Sequence, residues 1–177
     1  MPGKSEPNLF QAGVGKVVIT PPVGFVIGGP EHPERVSTGI ADDLLARVIV
    51  LESQGNRTAL ISLDVWGLAK PVLESIKRAI TVSTHIPEDS IWLTVTGNGT
   101  TPPLWRDDPL YSNYTAYLPE QVNGAVQAAL RSMEPASMGS TGILLPEVST
   151  FIDGPGLPGN PALFVVAINR ADGTGIA

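Results

Sequence analysis

The residues of this chain that could do chemistry gather where apolar runs end. Residues 91–96 form an apolar, β-branched run that passes directly into Gly97-Asn98-Gly99-Thr100-Thr101-Pro102-Pro103. Glycines at a strand end let successive backbone N–H groups converge on one anion or carbonyl oxygen, and an asparagine amide or a threonine hydroxyl adds a donor. Such a loop can form an oxyanion hole, which makes Asn98 and Thr100 catalytic candidates and Gly97, Gly99 and Thr101 substrate-binding ones. The competing assignment is an ordinary turn whose glycines supply positive φ. Asp64, at the end of the apolar run 57–63, is the third catalytic candidate. It could orient a base or a substrate amine, or it could cap the turn from Val65 to Leu68.

Trp105 and Arg106, followed by Asp107, Asp108, Tyr111, Tyr114 and Tyr117, form an aromatic and charged cluster. Rings and an arginine can wall a pocket for an apolar or amide substrate, with the guanidinium gripping a carboxylate; the same residues could equally pack a long loop onto the core. Both histidines sit beside prolines, His32 before Pro33 and His85 two residues before Pro87. They are expected as loop and helix-end residues, and with no cysteine in the chain no metal ligand and no cofactor is assigned. Arg35 and Arg47 are expected to pair with Asp42 or Asp43.

The elements that must position these groups follow from pattern. Residues 13–20 read as a strand stopped by Pro21-Pro22, and 23–39 as a long ordered loop. The runs 44–52 and 57–63 flank Ser53-Gln54-Gly55-Asn56, which is hairpin chemistry. Val72, Leu73, Ile76, Ala79 and Ile80 recur at helical spacing, predicting a helix over 71–84 with proline in its first turn. Strand 57–63, this helix and strand 91–96 then make a β-α-β unit with parallel strands. Parallel pairing brings Asp64 beside the 97–101 loop at the carboxyl edge of the sheet, the usual ligand crevice of such sheets. A second long loop is expected over 102–118, a helix over 119–133, and strands over 138–145 and 162–168. Asp172-Gly173 predicts a turn into a returning strand at 174–177.

The expected fold class is therefore α/β: a mixed sheet with a β-α-β unit, hairpins and two main helices packed on it. At 177 residues one domain is expected, and 19 glycines with 17 prolines, about a fifth of the chain against about 12% usually, favour structured loops. A net charge of −6 with no Lys/Arg cluster argues against nucleic acid as a partner. No apolar run reaches the 18 or more residues of a membrane span, and the first ten residues lack the apolar centre of a signal peptide. The expected location is the cytoplasm.

Several segments together resemble the N-terminal part of the neutral/alkaline ceramidase-like family of zinc amidases. They are A-G-V-G-K-V-V-I-T-P-P-V-G at 12–24, T-G-I-A-D-D-L-L-A-R at 38–47, A-L-I-S-L-D at 59–64, the 91–102 strand and loop, and R-A-D-G-T-G-I-A at 170–177. The resemblance implies a zinc-binding His-Thr-His-Ser-Gly-Pro pattern after the strand, and it puts Gly97 and Gly99 at the two histidine positions, with Pro102 retained. Glycine has no side-chain donor, so no zinc bond can form there. On this basis the chain is expected to be a hydrolase-type module that acts on a small amide substrate without zinc, its nucleophile lying outside the chain. It would be the N-terminal portion or first chain of a larger fold, self-processed after Ala177 in the manner of N-terminal-nucleophile hydrolases. A second chain or downstream segment is expected to pair with the 162–177 hairpin, and an oligomer is possible. The alternatives are a non-catalytic binding or assembly relative and a fragment of a larger hydrolase.

Overall fold

The computed structural model describes residues 10–28, 35–106, 111–145 and 161–177. Strand β1 (Gln11–Val18) pairs antiparallel with β2 (Leu45–Ser53), and β2 pairs antiparallel with β3 (Asn56–Leu63). The β2–β3 turn is the two-residue loop Gln54-Gly55, with φ of 54° and 77°. Two successive positive φ values are the hairpin geometry whose twist matches that of paired strands, and the loop fixes the register so that Ser53 faces Asn56 and Arg47 faces Ser62.

After β3 the chain crosses through helix α1 (Lys70–Thr84) and returns as β4 (Ile91–Val95), parallel to β3. Val72, Ile76 and Ile80 recur every fourth residue, and all are buried. Burying each such side chain contributes about 1.5–3 kcal/mol, far more than helix propensity could. His85 closes the helix in the left-handed conformation at φ 60°. Helix α2 (Ser112–Arg131) packs beside α1 on the same sheet face, and β5 (Glu134–Leu144) and β6 (Ala162–Arg170) complete a six-stranded sheet in the order β4-β3-β2-β1-β5-β6. This is the mixed α/β sheet with two helices packed on it that the sequence predicts.

Three differences have physical causes. Helix α2 begins at Ser112 rather than near residue 119, so Pro119 lies inside it and part of the expected 102–118 loop is helical. The apolar stripe Val122, Ala125, Val126 and Ala129 continues backward through Leu118 and Tyr114, and this buried face outweighs the hydrogen bond that Pro119 cannot donate. The Thr115 hydroxyl donates to the carbonyls of Tyr111 and Ser112 one turn earlier. Arg47 pairs with Asp64, at 2.9 Å, rather than with Asp42 or Asp43; Asp43 instead accepts the Thr20 hydroxyl at 2.8 Å. Strand β5 starts at Glu134, four residues before the expected 138, because Glu134 and Pro135 continue the sheet from Ala12 and Gln11.

The returning segment joins the end of β6: Ile168 and Arg170 donate to Ala177 and Thr174, and Ile176 donates to Ile168. Residues 29–34 of the expected 23–39 loop, Asp107, Asp108 and residues 146–160 between the last two strands lie outside the described residues. Among the described residues, no helix is long and apolar enough to cross a membrane.

Candidate functional site

Leu63 ends β3 and Val95 ends the parallel β4 beside it, so the loops that follow emerge together. They are stitched to each other. Thr96 donates to the Leu63 carbonyl and Gly97 to that of Val65, at 3.0 and 3.1 Å. Gly97 takes φ 74°, a conformation strained for any side chain, and turns the chain into Asn98. The Asn98 Oδ1 accepts from both the Thr100 N–H (3.0 Å) and the Thr100 hydroxyl (2.8 Å). Because an N–H must meet an acceptor, this fixes the amide orientation and leaves the Asn98 Nδ2 group without an acceptor among the described residues. The Asn98 and Gly99 N–H groups also lack partners among the described residues.

Thr101 is fully buried and fastens three segments. Its hydroxyl accepts from the Trp66 N–H and donates to the Asn98 carbonyl, while its own carbonyl accepts from Gly28. Leu104, also buried, accepts from Ala69 at the start of α1. This draws the following residues over the Gly67 side of the loop, where Trp105 packs on the Gly67 backbone and the Arg106 guanidinium stacks 4.1 Å from the Trp105 ring centre.

Asp64 is the hub of the other loop. Its Oδ2 accepts from the Leu45 N–H at 3.0 Å and from Arg47 Nη1 at 2.9 Å. Asp64 is mostly buried and Arg47 about half exposed, so the pair fixes a position more than it stabilises the fold. The Asp64 Oδ1 has no partner among the described residues.

These groups meet in an open cleft of about 560 Å³, walled by Asp64, Arg47, Asn98 and Thr100 from the sheet edge and by Thr20, Arg35, Ser37, Asp42 and Asp43 from the segments before β2. Of the residues singled out in the sequence, Asp64, Asn98 and Thr100 line this cleft. Gly97, Gly99, Thr101, Trp105 and Arg106 do not, although Thr101 holds the loop that does. Arg47 was legible in principle, because the two-residue hairpin sets its register two positions from Asp64; Thr20 and Arg35 carry no comparable sequence signal. The cleft offers the Asn98 amide, two guanidinium groups and the carboxylates of Asp42, Asp43 and Asp64, a set able to hold a polarised carbonyl and the N–H beside it.

Against solved structures the chain matches neutral ceramidase from Pseudomonas aeruginosa, with a TM-score of 0.77 and 16% sequence identity over 96% of its length. It also matches a ceramidase solved in complex with C2, with a TM-score of 0.82 and 17% identity over 95%. The chain has a ceramidase-like fold. It spans about 30% of the length of those proteins, 31% of the first and 30% of the second. No protein-family profile and no curated protein sequence matches it.

The metal implied by the resemblance finds no fit at 97–99. A Cβ added at Gly97 or at Gly99 would meet nothing within 4 Å, so there is room for side chains but no donor atom. Among the described residues no three His, Cys, Asp or Glu side chains cluster to hold an ion. His32 lies outside the described residues, and His85 stands at the end of α1 and does not line the cleft.

Proposed function

We propose that the cleft belongs to an amide hydrolase that works without zinc. Its net reaction adds water across a C–N bond to give an acid and an amine. The observation that carries this is the convergence of the free Asp64 oxygen and the Asn98 amide on one cleft at the ends of parallel strands, within a ceramidase-like fold. Ceramide, from which ceramidases take their name, is itself an N-acyl amide. Asn98 Nδ2, aided by the loop N–H groups, holds the carbonyl oxygen as it gains negative charge, and Asp64 Oδ1 takes the substrate N–H. Thr100 shapes the turn by donating to Asn98, an amide oxygen that cannot act as its base.

The Thr20 hydroxyl is held between Leu44 and Asp43, and that of Ser37 accepts from Gly24. We place the nucleophile on polypeptide outside this chain, where a Ser, Thr or Cys at the start of a processed second chain would bring its own amine as base. A non-catalytic binding module is the competing assignment.

A panel of N-acyl amides assayed with the complete gene product tests this reading. Hydrolysis that survives chelation and falls about 100-fold in Asn98→Ala, the scale of losing an oxyanion donor, is the expected result. Stoichiometric zinc in the purified protein overturns the metal-free mechanism, and inactivity on the whole panel favours the binding module.

A further inference from the structure

Both helices pack on one face of the sheet, where Ala46, Val48, Val50, Ala59, Ile61 and Leu63 are buried. Alternation sends the intervening residues to the other face. The ladder register sets Trp92 beside Leu60, Leu60 beside Ile49 and Ile49 beside Val14, an apolar band that crosses four adjacent strands. Nothing in the described chain covers it: Trp92 is 65% exposed, and Leu60 and Val14 are also exposed. Strands this apolar on both faces are characteristic of sheets covered on both sides.

Past β1 the same face carries the buried Ala12, the Glu134–Arg170 ion pair and the buried Ile168, and counting further along β5 and β6 by twos then brings Met138, Val166 and Phe164 to it, with Phe164 77% exposed. Beyond its short pairing with β1 the β5–β6 ribbon also exposes Ile143, Leu163 and Val165 on its opposite side. Apolar residues on both sides of a ribbon demand cover from two directions, whereas a flat contact would supply only one.

We infer that this face and the ribbon are the seat of a second polypeptide layer, supplied by further polypeptide of the kind by which the matched ceramidases exceed this chain. Two features set its chemistry. The next row of the face is Lys16, Arg47, Ser62 and Thr94, and Lys16 has no ion pair among the described residues, so the incoming layer carries an apolar stripe over the band and acidic or polar groups over this row. Arg47 and Asp64 lie on the same face, so the layer also forms a missing wall of the cleft. This inference stands independently of the reaction proposed above.

The test compares Trp92→Arg and Phe164→Arg in the 177-residue chain and in the complete gene product. Val82→Arg is the control, since Val82 is 72% exposed on the helix side. In the isolated chain all three should shift the melting temperature by no more than about 2 °C, as exposed substitutions do. In the complete product the first two should lower it by about 5 °C or more and the control should not. Equal behaviour of all three in the complete product overturns the inference. So does a coding sequence that supplies no such layer. A discrete dimer of the isolated chain by light scattering, dissociated by Trp92→Arg and Phe164→Arg, overturns it in favour of a second copy.

Discussion

Tyr114 shows how a single polar atom can tie the site's flank to the core. Its ring packs 5.9 Å from that of Phe25, and its buried hydroxyl donates to the carbonyl of Ile19, one residue before the cleft's Thr20. Burial disfavours the phenolate and pushes the Tyr114 pKa well above the usual tyrosine value. A raised folded-state pKa means that its contribution to stability is complete below the unfolded value of about 10 and is lost as pH rises beyond it, by up to about 1.4 kcal/mol per pH unit. Tyr114→Phe should therefore cost about 1–2 kcal/mol at pH 7, where the Ile19 carbonyl loses its donor, yet show a shallower decline above pH 10. Denaturant titrations at pH 7 and across pH 9.5–11 measure both, and parallel pH profiles would contradict the assignment. Asp64 and Asn98 were legible in the sequence because they stand where apolar runs end. The role of Tyr114 was not, since its partner lies 95 residues away and its ring was equally suited to a loop.

At the scale of elements, the contact between β1 and α2 depends on two glycines. A Cβ at Gly15 would lie 2.0 Å from the Ala125 carbonyl oxygen, and one at Gly13 would lie 2.1 Å from that of Ala129. Both obstacles are helix backbone, which cannot swing aside as a side-chain tip could. Gly15→Ala should thus destabilise the protein by about 1–3 kcal/mol, in the range of overpacked cores. Gly124, within α2 itself, is the converse: its Cβ would meet nothing within 4 Å, so Gly124→Ala should stabilise by about 0.5–1 kcal/mol through helix propensity. Urea unfolding of the two variants should give shifts of opposite sign, and a shared sign would mean that helix and strand do not approach in this way. The β2–β3 hairpin, α1 and the parallel return to β4 were each readable from local spacing. The glycine seam and the early start of α2 depend on which faces meet, and the sequence around Pro119 argues locally for a break that tertiary burial overrides.

For the whole molecule, cohesion is unevenly distributed. The buried side chains lie between the helices and strands β1 to β4, whereas residues 137–144 and 162–167 are exposed along nearly their whole length. Hydrogen bonding alone does not distinguish the two regions, because β5 and β6 pair in an unbroken ladder from Ala136 to Leu144. The difference is apolar burial, and a two-stranded ribbon without it is marginal in water. The apolar runs 48–51 and 59–61 have the composition of strands covered on both faces, whereas the sequence led only to a further segment along the 162–177 hairpin. In the isolated chain, hydrogen exchange should therefore find Val48 and Val50 opening only with global unfolding. Amides of 139–143 and 163–166 should exchange at least 100-fold faster, despite equivalent ladder bonds. If the ribbon were as protected as β2, stability would follow backbone pairing, and the uncovered apolar face would have no energetic consequence for the chain.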